Sequence, residues 1–558
     1  MGEMSGAEVL ADMLAGYDAT HIFLVPAVLR MTMRELDRRT SIVVVRTHGE
    51  KSAAYMADGY ARASRRPGIC GAQVVGALNL AAGLRDPWLA HSPVIALTGG
   101  RDPNTKFRKV YQEVDDVPSF EPVTKLNATV DSAARIPDMV RQAFRVAVSG
   151  TPGPVHLQFR GNAGQVDEET ADMEPLVDAR FAAAPPYRPE PAAEDVRDAL
   201  DLLERAERPL LVAGGGVHWS GAGAEIVALA SLLGIPVATS LNGKDSILGT
   251  HPRSVGVVGT YSRGCANQVA LRADLVCFVG SETGSMATDF WRVPPVGTPA
   301  IQIDIDPEAL GRNYPLSAAV LGDAKATLQR MLERADAASS SRRAAWLSEV
   351  DSICSSWRQE TQPALASDAI PIRPERICRE LTQLMPGDAV VVVDTGNAGL
   401  WMGGMYDLTS PGQSYLRSAG HLGWAFPAGL GAKCAQPGRP VVVFTGDAGF
   451  WYHIGEIETA VRNKINTVTV VNNNHSGNQS KPAMDRLYDG GQSDFARGLW
   501  TFTDVNLARI AEDMGAFGVR VETAADFAPA LEKALEADRP AVIDVATDID
   551  ALPPGPVH

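Results

Sequence analysis

Short, continuous apolar runs recur along the chain, each followed by a stretch with helical spacing. In residues 4–165 the runs are Val43-Val44-Val45, Ile69 to Val75, Val94-Ile95-Ala96-Leu97 and Val155-His156-Leu157-Gln158. They lack the polar alternation of a half-exposed strand, so they predict strands buried on both faces. Between them, Glu50 to Arg62 predicts a helix with small residues (Ala53, Ala54, Ala57, Gly59) on one face. The same alternation returns with Pro209 to Ala213, Ile235 to Ala238, Leu275 to Val279 and Ala300 to Ile305. It returns again with Ala389 to Val393, Val441 to Phe444, Thr467 to Val471 and Pro540 to Val545. Strands alternating with helices predict α/β architecture with doubly wound parallel sheets.

Two polar stretches divide the pattern. Residues 166–195 contain PPYRPEPAAED, which is linker composition, and 336–345 (DAASSSRRAA) open a second, partly helical connection. The reading is therefore three α/β domains, 1–165, 196–333 and 370–558, joined by linkers 166–195 and 334–369.

Composition narrows the partners. At 558 residues, 45% hydrophobic and 21% charged, the chain has ordinary globular composition and room for several cores. A net charge of −15 argues against a nucleic-acid partner, which needs basic stripes. No apolar run is long enough for a membrane span. The six cysteines are scattered without a CxxC, which predicts reduced thiols and a cytoplasmic protein.

Candidate chemistry concentrates in 446–474, GDAGFWYHIGEIETAVRNKINTVTVVNNN. Gly446-Asp447 is a tight turn ending in a carboxylate. Asn472-Asn473-Asn474 closes the next apolar run. An acid after one strand and an amide after the next place hard oxygen donors at the carboxyl edge of a parallel sheet, where such sheets bind ligands. These donors suit a magnesium ion that also holds phosphate. A helix cap at Asp447 and a plain turn at the asparagines are the bland alternative. RTHGEKSAAYMADGYAR (46–62) puts Glu50 at a helix N-terminus, which alone is only favourable with the dipole. AGGGVHWSG (213–221) is not GxGxxG, because Trp219 stands where the third glycine belongs. It predicts a tight strand-to-helix turn in preference to a dinucleotide site.

Together these segments resemble thiamine-diphosphate enzymes of the acetolactate synthase, benzoylformate decarboxylase and 2-hydroxyacyl-CoA lyase type. The resemblance runs through HGE…GYAR, GALNLAAGLRDPWLAHSPVIALTGG (76–100), YQEVD (111–115), GTPGPVHLQF (150–159), DTGNAGLWMG (394–403) and GHLGWAFPAGLGAK (420–433), in the family's order. It implies a pyrimidine-binding domain, a Rossmann-like middle domain and a diphosphate-binding domain, with cofactor held between two chains of a homodimer or homotetramer. Glu50 would meet the aminopyrimidine. Asp447, Asn473 and the His475 carbonyl would ligate magnesium. Gly396, Asn397 and Ala398, with Gly446, Ala448, Gly449, Phe450, Ser476 and Gly477, would surround the diphosphate. Leu422 would prop the bent cofactor, and the Gly420 carbonyl would accept from its amino group. Gly76 and Asn79 would line the first domain's side. Gln112 would face substrate, and His421 is favoured over His48, His91 and His475 as a proton shuttle.

Departures from the family pattern bear on the substrate. The GDG triplet ends in Ala448, and the gap to the asparagines is slightly short. The usual SGPG turn is Gln73-Val74-Val75-Gly76. GSETGSMATDFW (280–291) lacks the Arg-Phe-Asp-Asp-Arg-like segment, so FAD is not expected, and no basic residues for an ADP moiety stand out there. The paired histidines of pyruvate decarboxylase are missing. The expected activity is carbon–carbon bond cleavage or formation on 2-oxo acids or 2-hydroxy ketones, by a decarboxylase or carboligase. A 2-hydroxyacyl-CoA lyase or oxalyl-CoA decarboxylase-like enzyme is the alternative, and a silent assembly subunit is the reading from another class.

Overall fold

The computed structural model describes residues 2–553 and 555. Three six-stranded parallel sheets follow one another along the chain. In spatial order, the first contains Val43–Arg46, His21–Leu24, Gly68–Ala72, Val94–Gly99, Val155–Phe159 and Leu126–Val130. The third contains Ser414–Arg417, Val390–Val393, Val441–Gly446, Val468–Asn473, Ala541–Ala546 and Phe517–Val521. Counted within each sheet, both run second, first, third, fourth, sixth, fifth, so the two outer domains share one topology. The middle sheet is ordered Ser254–Val257, Val237–Thr239, Pro209–Ala213, Leu275–Val279, Ala300–Asp304 and Leu316–Leu321. That is third, second, first, fourth, fifth, sixth, the dinucleotide-fold order.

The connections are more structured than their composition suggests. Thr170–Met173, inside 166–195, pairs antiparallel with Gly2–Ser5 and ties the chain start to the end of the first domain. Within 334–369, Ala344–Leu365 is a long helix. The predicted strand Ile69 to Val75 stops at Ala72, and Val74–Gly76 forms a 3-10 turn into the Ala77–Leu89 helix. Among the described residues, no helix is long and apolar enough to cross a membrane.

The small-residue face predicted for Glu50–Ser64 joins the outer domains. This helix crosses the Ala425–Ala435 helix at backbone contact. A Cβ at Gly59 would lie 1.9 Å from the Ala428 carbonyl oxygen, and one at Gly431 would lie 1.8 Å from that of Met56. Only hydrogen fits at either position.

Candidate active site

The third sheet changes direction between Val390–Val393 and Val441–Gly446, the switch point at which open α/β sheets take ligands. Asp394, Gly396 and Asn397 leave the first of these strands, and Asp447 leaves the second. Gly446 is in register with Asn472, which sets Asp447 beside Asn473. Asp447 is buried, and burial pushes its carboxyl up to about 7 against the opposing Ala448 and Ser476 N–H groups. The Ser476 N–H donates to its Oδ2 at 2.9 Å.

Asn473 is oriented from behind. Its amide donates to Asp544 Oδ1 at 2.8 Å and to the Val505 carbonyl at 3.3 Å, which leaves Oδ1 on the side of the His475 turn. Asp544 is itself fixed by the Leu507 N–H and Arg520, each at 2.9 Å. His475 has φ 56°, and its ring lies 3.3 Å from Asp504. With the ring so engaged, the group left toward the site is its carbonyl, which already accepts from the Phe502 N–H at 2.6 Å and has one lone pair to spare. A carboxylate, an amide oxygen and a carbonyl match the oxygen preference of a hard divalent cation, and a cation there would hold Asp447 ionised.

The surroundings suit a diphosphate. Gly396 has φ 69° and caps the Asn397–Met405 helix, so backbone N–H groups face the switch point. A Cβ added at Gly420 would meet nothing within 4 Å, and one at Gly446 only the Asn472 carbonyl at 4.0 Å. Asn397 donates to Asn478 Oδ1 at 2.8 Å, linking this loop to the one beyond Asn473. The Ser476 and Gly477 N–H groups already have internal acceptors, Asp447 and the Trp500 carbonyl. The Phe450 ring is core, packed edge-on against Phe426 with centroids 5.0 Å apart, so only its backbone borders the site.

Two carboxylates absent from the sequence reading hold the Gly420 loop. Asp394 is buried and accepts from Thr395 N, Gly423 N and the Thr445 hydroxyl, and burial pushes it up to about 7. A Cβ at Gly449 would lie 2.5 Å from its Oδ2. Asp86 reaches across from the first domain and accepts from Ala419 N (3.0 Å), His421 N (3.1 Å) and Ser418 Oγ (2.9 Å). Arg62, the last residue of GYAR, bridges Asp86 and Asp58 within the core and lies over Trp424, 4.5 Å from the ring centroid. Asp86 and Asp394 each open or occupy a quoted motif, RDPW or DTGN, which was the available signal. Leu422, at the tip, is 37% exposed.

Glu50 is the first residue of its helix and faces its own domain's groove. Asn79 donates to its Oε2 at 3.3 Å, and a Cβ at Gly76 would lie 2.3 Å from Oε1. Gln73 continues this wall by donating to Gln112 Oε1 at 3.4 Å; Gln112 has φ 64°. Val75 at the turn is 53% exposed.

The histidines separate by partner. His48, His91 and His475 each pair with an acid: Glu458, Glu282 and Asp504. His421 lies beside Gly420 and Leu422, its Nδ1 hydrogen-bonded to the Tyr55 hydroxyl, and burial lowers its pKa. His453, not singled out in the sequence, packs edge-on to Tyr55 and bonds Ser52 at 2.7 Å; burial lowers it to about 3.

The middle domain has its own switch point, between Pro209–Ala213 and Leu275–Val279. A Cβ at Gly214 would lie 2.0 Å from the Gly280 carbonyl, so this glycine answers close backbone approach. A cavity of about 310 Å³ opens here, lined by Gly215, Ser281, Glu282, Asp304, Asp306 and Asp323 and reaching His91, Arg417 and Ala419.

A switch-point diphosphate cradle with an acid-bearing groove on a like-folded domain defines a class of cofactor-dependent enzymes. Three family models match in sequence order: thiamine pyrophosphate enzyme, N-terminal TPP binding domain (4–119), central domain (196–331) and C-terminal TPP binding domain (394–545). The chain belongs to this family of thiamine-diphosphate enzymes, of the acetolactate synthase type. It is 30% identical to a probable acetolactate synthase large subunit of Methanocaldococcus jannaschii, over 99% of this chain and 94% of the relative. It is 28% identical to the corresponding protein of Methanococcus aeolicus, with the same coverage. It is also 29% identical to a sulfoacetaldehyde acetyltransferase of Castellaniella defragrans, over 96% of this chain and 91% of the relative.

Proposed function

We propose that this protein is a thiamine-diphosphate- and magnesium-dependent decarboxylase or carboligase acting on 2-oxo acids or 2-hydroxy ketones, without FAD. The observation that carries the reading is the oxygen donor set of Asp447, Asn473 and the His475 carbonyl at the switch point. When bound, thiamine diphosphate supplies a carbon nucleophile and an electron sink. The chain's residues do the rest. Asp447, Asn473 and His475 hold the cation, and the Gly396–Ala398 backbone holds the diphosphate. Leu422 and Gly420, braced by Asp394 and Asp86, set the cofactor's shape. Glu50 holds the proton at its carboxylate that the aminopyrimidine exchanges. Gln112 orients substrate, and His421, kept neutral by burial and oriented by Tyr55, accepts or returns a proton.

Glu50 makes its contacts within its own domain, whereas Leu422 stands partly exposed. This supports a site completed by a second chain, as a homodimer or a doubled dimer. The relatives' names, a synthase and an acetyltransferase, favour passing the cleaved fragment to an acceptor. Glu282, Asp304, Asp306 and Asp323 around the middle cavity disfavour the phosphate-rich handle of an acyl-CoA, which places the lyase reading second. Retention of Glu50, Asp447 and Asn473 weighs against a silent subunit. Six free thiols, five of them buried, fit a cytoplasmic protein.

Titration of the purified protein with thiamine diphosphate and magnesium, followed by circular dichroism, tests the cofactor. A screen of 2-oxo acids that records both carbon dioxide and coupled product tests the reaction. A missing cofactor signal would overturn the reading, and cofactor binding with turnover of acyl-CoA substrates alone would replace it with the lyase.

A further inference from the structure

Tyr55 lies beyond Glu50 on the Glu50–Ser64 helix and is fully enclosed, at 0% exposure. Its ring stands edge-on between two histidines of the third domain, with centroids 5.8 Å from His421 and 5.5 Å from His453. The Ser52 hydroxyl, on the same helix, is hydrogen-bonded to His453 Nδ1 at 2.7 Å. Among the described residues, the Tyr55 hydroxyl has a single hydrogen-bond partner, His421 Nδ1. That contact fixes which ring nitrogen of His421 carries hydrogen. Burial, reinforced by Asp86, Asp394 and Asp58, holds Tyr55 as the neutral phenol. A phenol that accepted from an Nδ1–H would leave its own hydrogen enclosed without an acceptor, which costs the full desolvation of that group. Tyr55 therefore donates and Nδ1 accepts. A neutral imidazole with Nδ1 as acceptor has its hydrogen on Nε2, and burial favours the neutral ring.

The loop backbone is pinned as well. The His421 N–H donates to Asp86 Oδ2 at 3.1 Å, and its carbonyl accepts from Ser418 Oγ at 2.9 Å and from the Trp424 N–H at 3.2 Å. Among the described residues, His421 Nε2 has no protein partner; unlike His453 Nε2, it is not enclosed. Its loop neighbours Gly420 and Leu422 border open space.

We propose that Tyr55 is a positioning residue that fixes His421 in the Nε2–H tautomer, so that His421 meets a carbonyl substrate as a hydrogen-bond donor to the oxygen that takes on negative charge. This rests on the function proposed above and fixes the direction it leaves open: Nε2, already bearing hydrogen, cannot act first as a base. A neutral imidazole N–H aimed at a developing oxyanion polarises a carbonyl without a prior proton transfer. In the competing account Tyr55 only packs, and His421 takes a proton from substrate.

The first measurement needs neither cofactor nor turnover. Cofactor-free protein with isotope-labelled histidine is observed by nitrogen NMR at mildly alkaline pH, where imidazoles are neutral. The His421 signals are assigned by their loss in His421→Gln and in His421→Ala. The expected spectrum has Nδ1 as a bare acceptor and Nε2 as the protonated nitrogen. Tyr55→Phe keeps the ring packing and should admit the other tautomer. Hydrogen on Nδ1 in the wild type, or an unchanged spectrum in Tyr55→Phe, would overturn the proposal. The second measurement uses glutamine as a mimic of Nε2–H that has no basic nitrogen. On the 2-oxo acid that the wild type turns over fastest in the screen above, His421→Gln should lower turnover by roughly tenfold and His421→Ala by roughly 10²–10³. Circular dichroism should show the same cofactor affinity in both. Equal losses in the two variants would overturn the donor role. A wild type without cofactor signal or turnover overturns the proposed function instead, and the tautomer is still decided by the NMR.

Discussion

A carboxylate can serve this enzyme by meeting the cofactor or by holding the loop that does. The proposed function puts Glu50 in the first kind: its Oε atoms face Gly76 and Asn79 at the mouth of a groove. Glu50→Gln keeps shape and hydrogen bonding but removes proton exchange. Cofactor affinity should stay near wild type while turnover falls by roughly 10²–10⁴; cofactor titration beside steady-state rates measures both. A matching loss of affinity would make Glu50 a binding residue instead. Asp394 is of the second kind, and its titration has a defined sign. Burial raises it from the usual carboxylate range to about 7. The folded chain therefore retains a proton that the unfolded chain loses, and this group's stability contribution disappears as pH rises through that window. His453, lowered to about 3, has the opposite sign: stability is lost as pH falls below the ordinary imidazole value. In melting curves of cofactor-free protein across pH, Asp394→Asn should flatten the decline toward neutral pH, and His453→Gln the acid-side decline. Asp447 shows what sequence could and could not give. An acid closing a Gly-Asp turn after an apolar run is legible as a buried carboxylate at the sheet's carboxyl edge, where the structure has it. Asp86, Asp394 and Asp544 hold backbone or amide groups from distant segments, and those become neighbours only on folding.

The Glu50–Ser64 helix is the element on which the two outer domains register. Its alanines and glycine were readable as a packing face, although the partner helix was not. A methyl at Gly59 would sit 1.9 Å from the Ala428 carbonyl, so the helices must separate. Gly59→Ala should cost about 2–4 kcal/mol, outweighing the ~1 kcal/mol that alanine gains in helix propensity. Denaturant unfolding measures that loss, and a neutral or stabilising result would mean the crossing is looser than this. The same physics explains which strands sequence reveals. Central strands such as Val441–Gly446 are covered on both faces and read as unbroken apolar runs. Leu126–Val130 and Phe517–Val521 are edge strands with partly exposed side chains, and Ser414–Arg417, at another edge, ends in arginine. Their patterns are too mixed to stand out, so the sheets extend one strand beyond the legible ones at these edges; the first sheet's other side departs from this, since the edge strand Val43–Arg46 is legible from its valines and the internal four-residue strand His21–Leu24 is not. The turn at Gln73-Val74-Val75 reads as strand because its valines are β-branched, yet Gly76 must pass beside Glu50 and turns the chain early.

For the whole molecule the central issue is which chain supplies which half of the site. In the proposed function the like-folded outer domains carry complementary halves, Glu50 on one and Asp447 with Asn473 on the other. Leu422 is 37% exposed and Val75 53%, which suits two surfaces that close on each other across a two-fold axis. Mixing two inactive proteins tests this directly. Glu50→Gln chains keep an intact diphosphate half, and Asp447→Ala chains keep an intact Glu50. If each site takes Glu50 from one chain and Asp447 from the other, a mixed dimer has one complete site and one doubly damaged site. Random re-association of equal amounts should then restore about a quarter of wild-type activity, since half the dimers are mixed and each has one working site. If both halves come from one chain, every site in every combination is damaged and no activity returns. The readout is the specific activity of the refolded mixture against each variant refolded alone. Its size also separates two-chain sites from a trace of wild-type contamination, which would not scale with the mixing ratio.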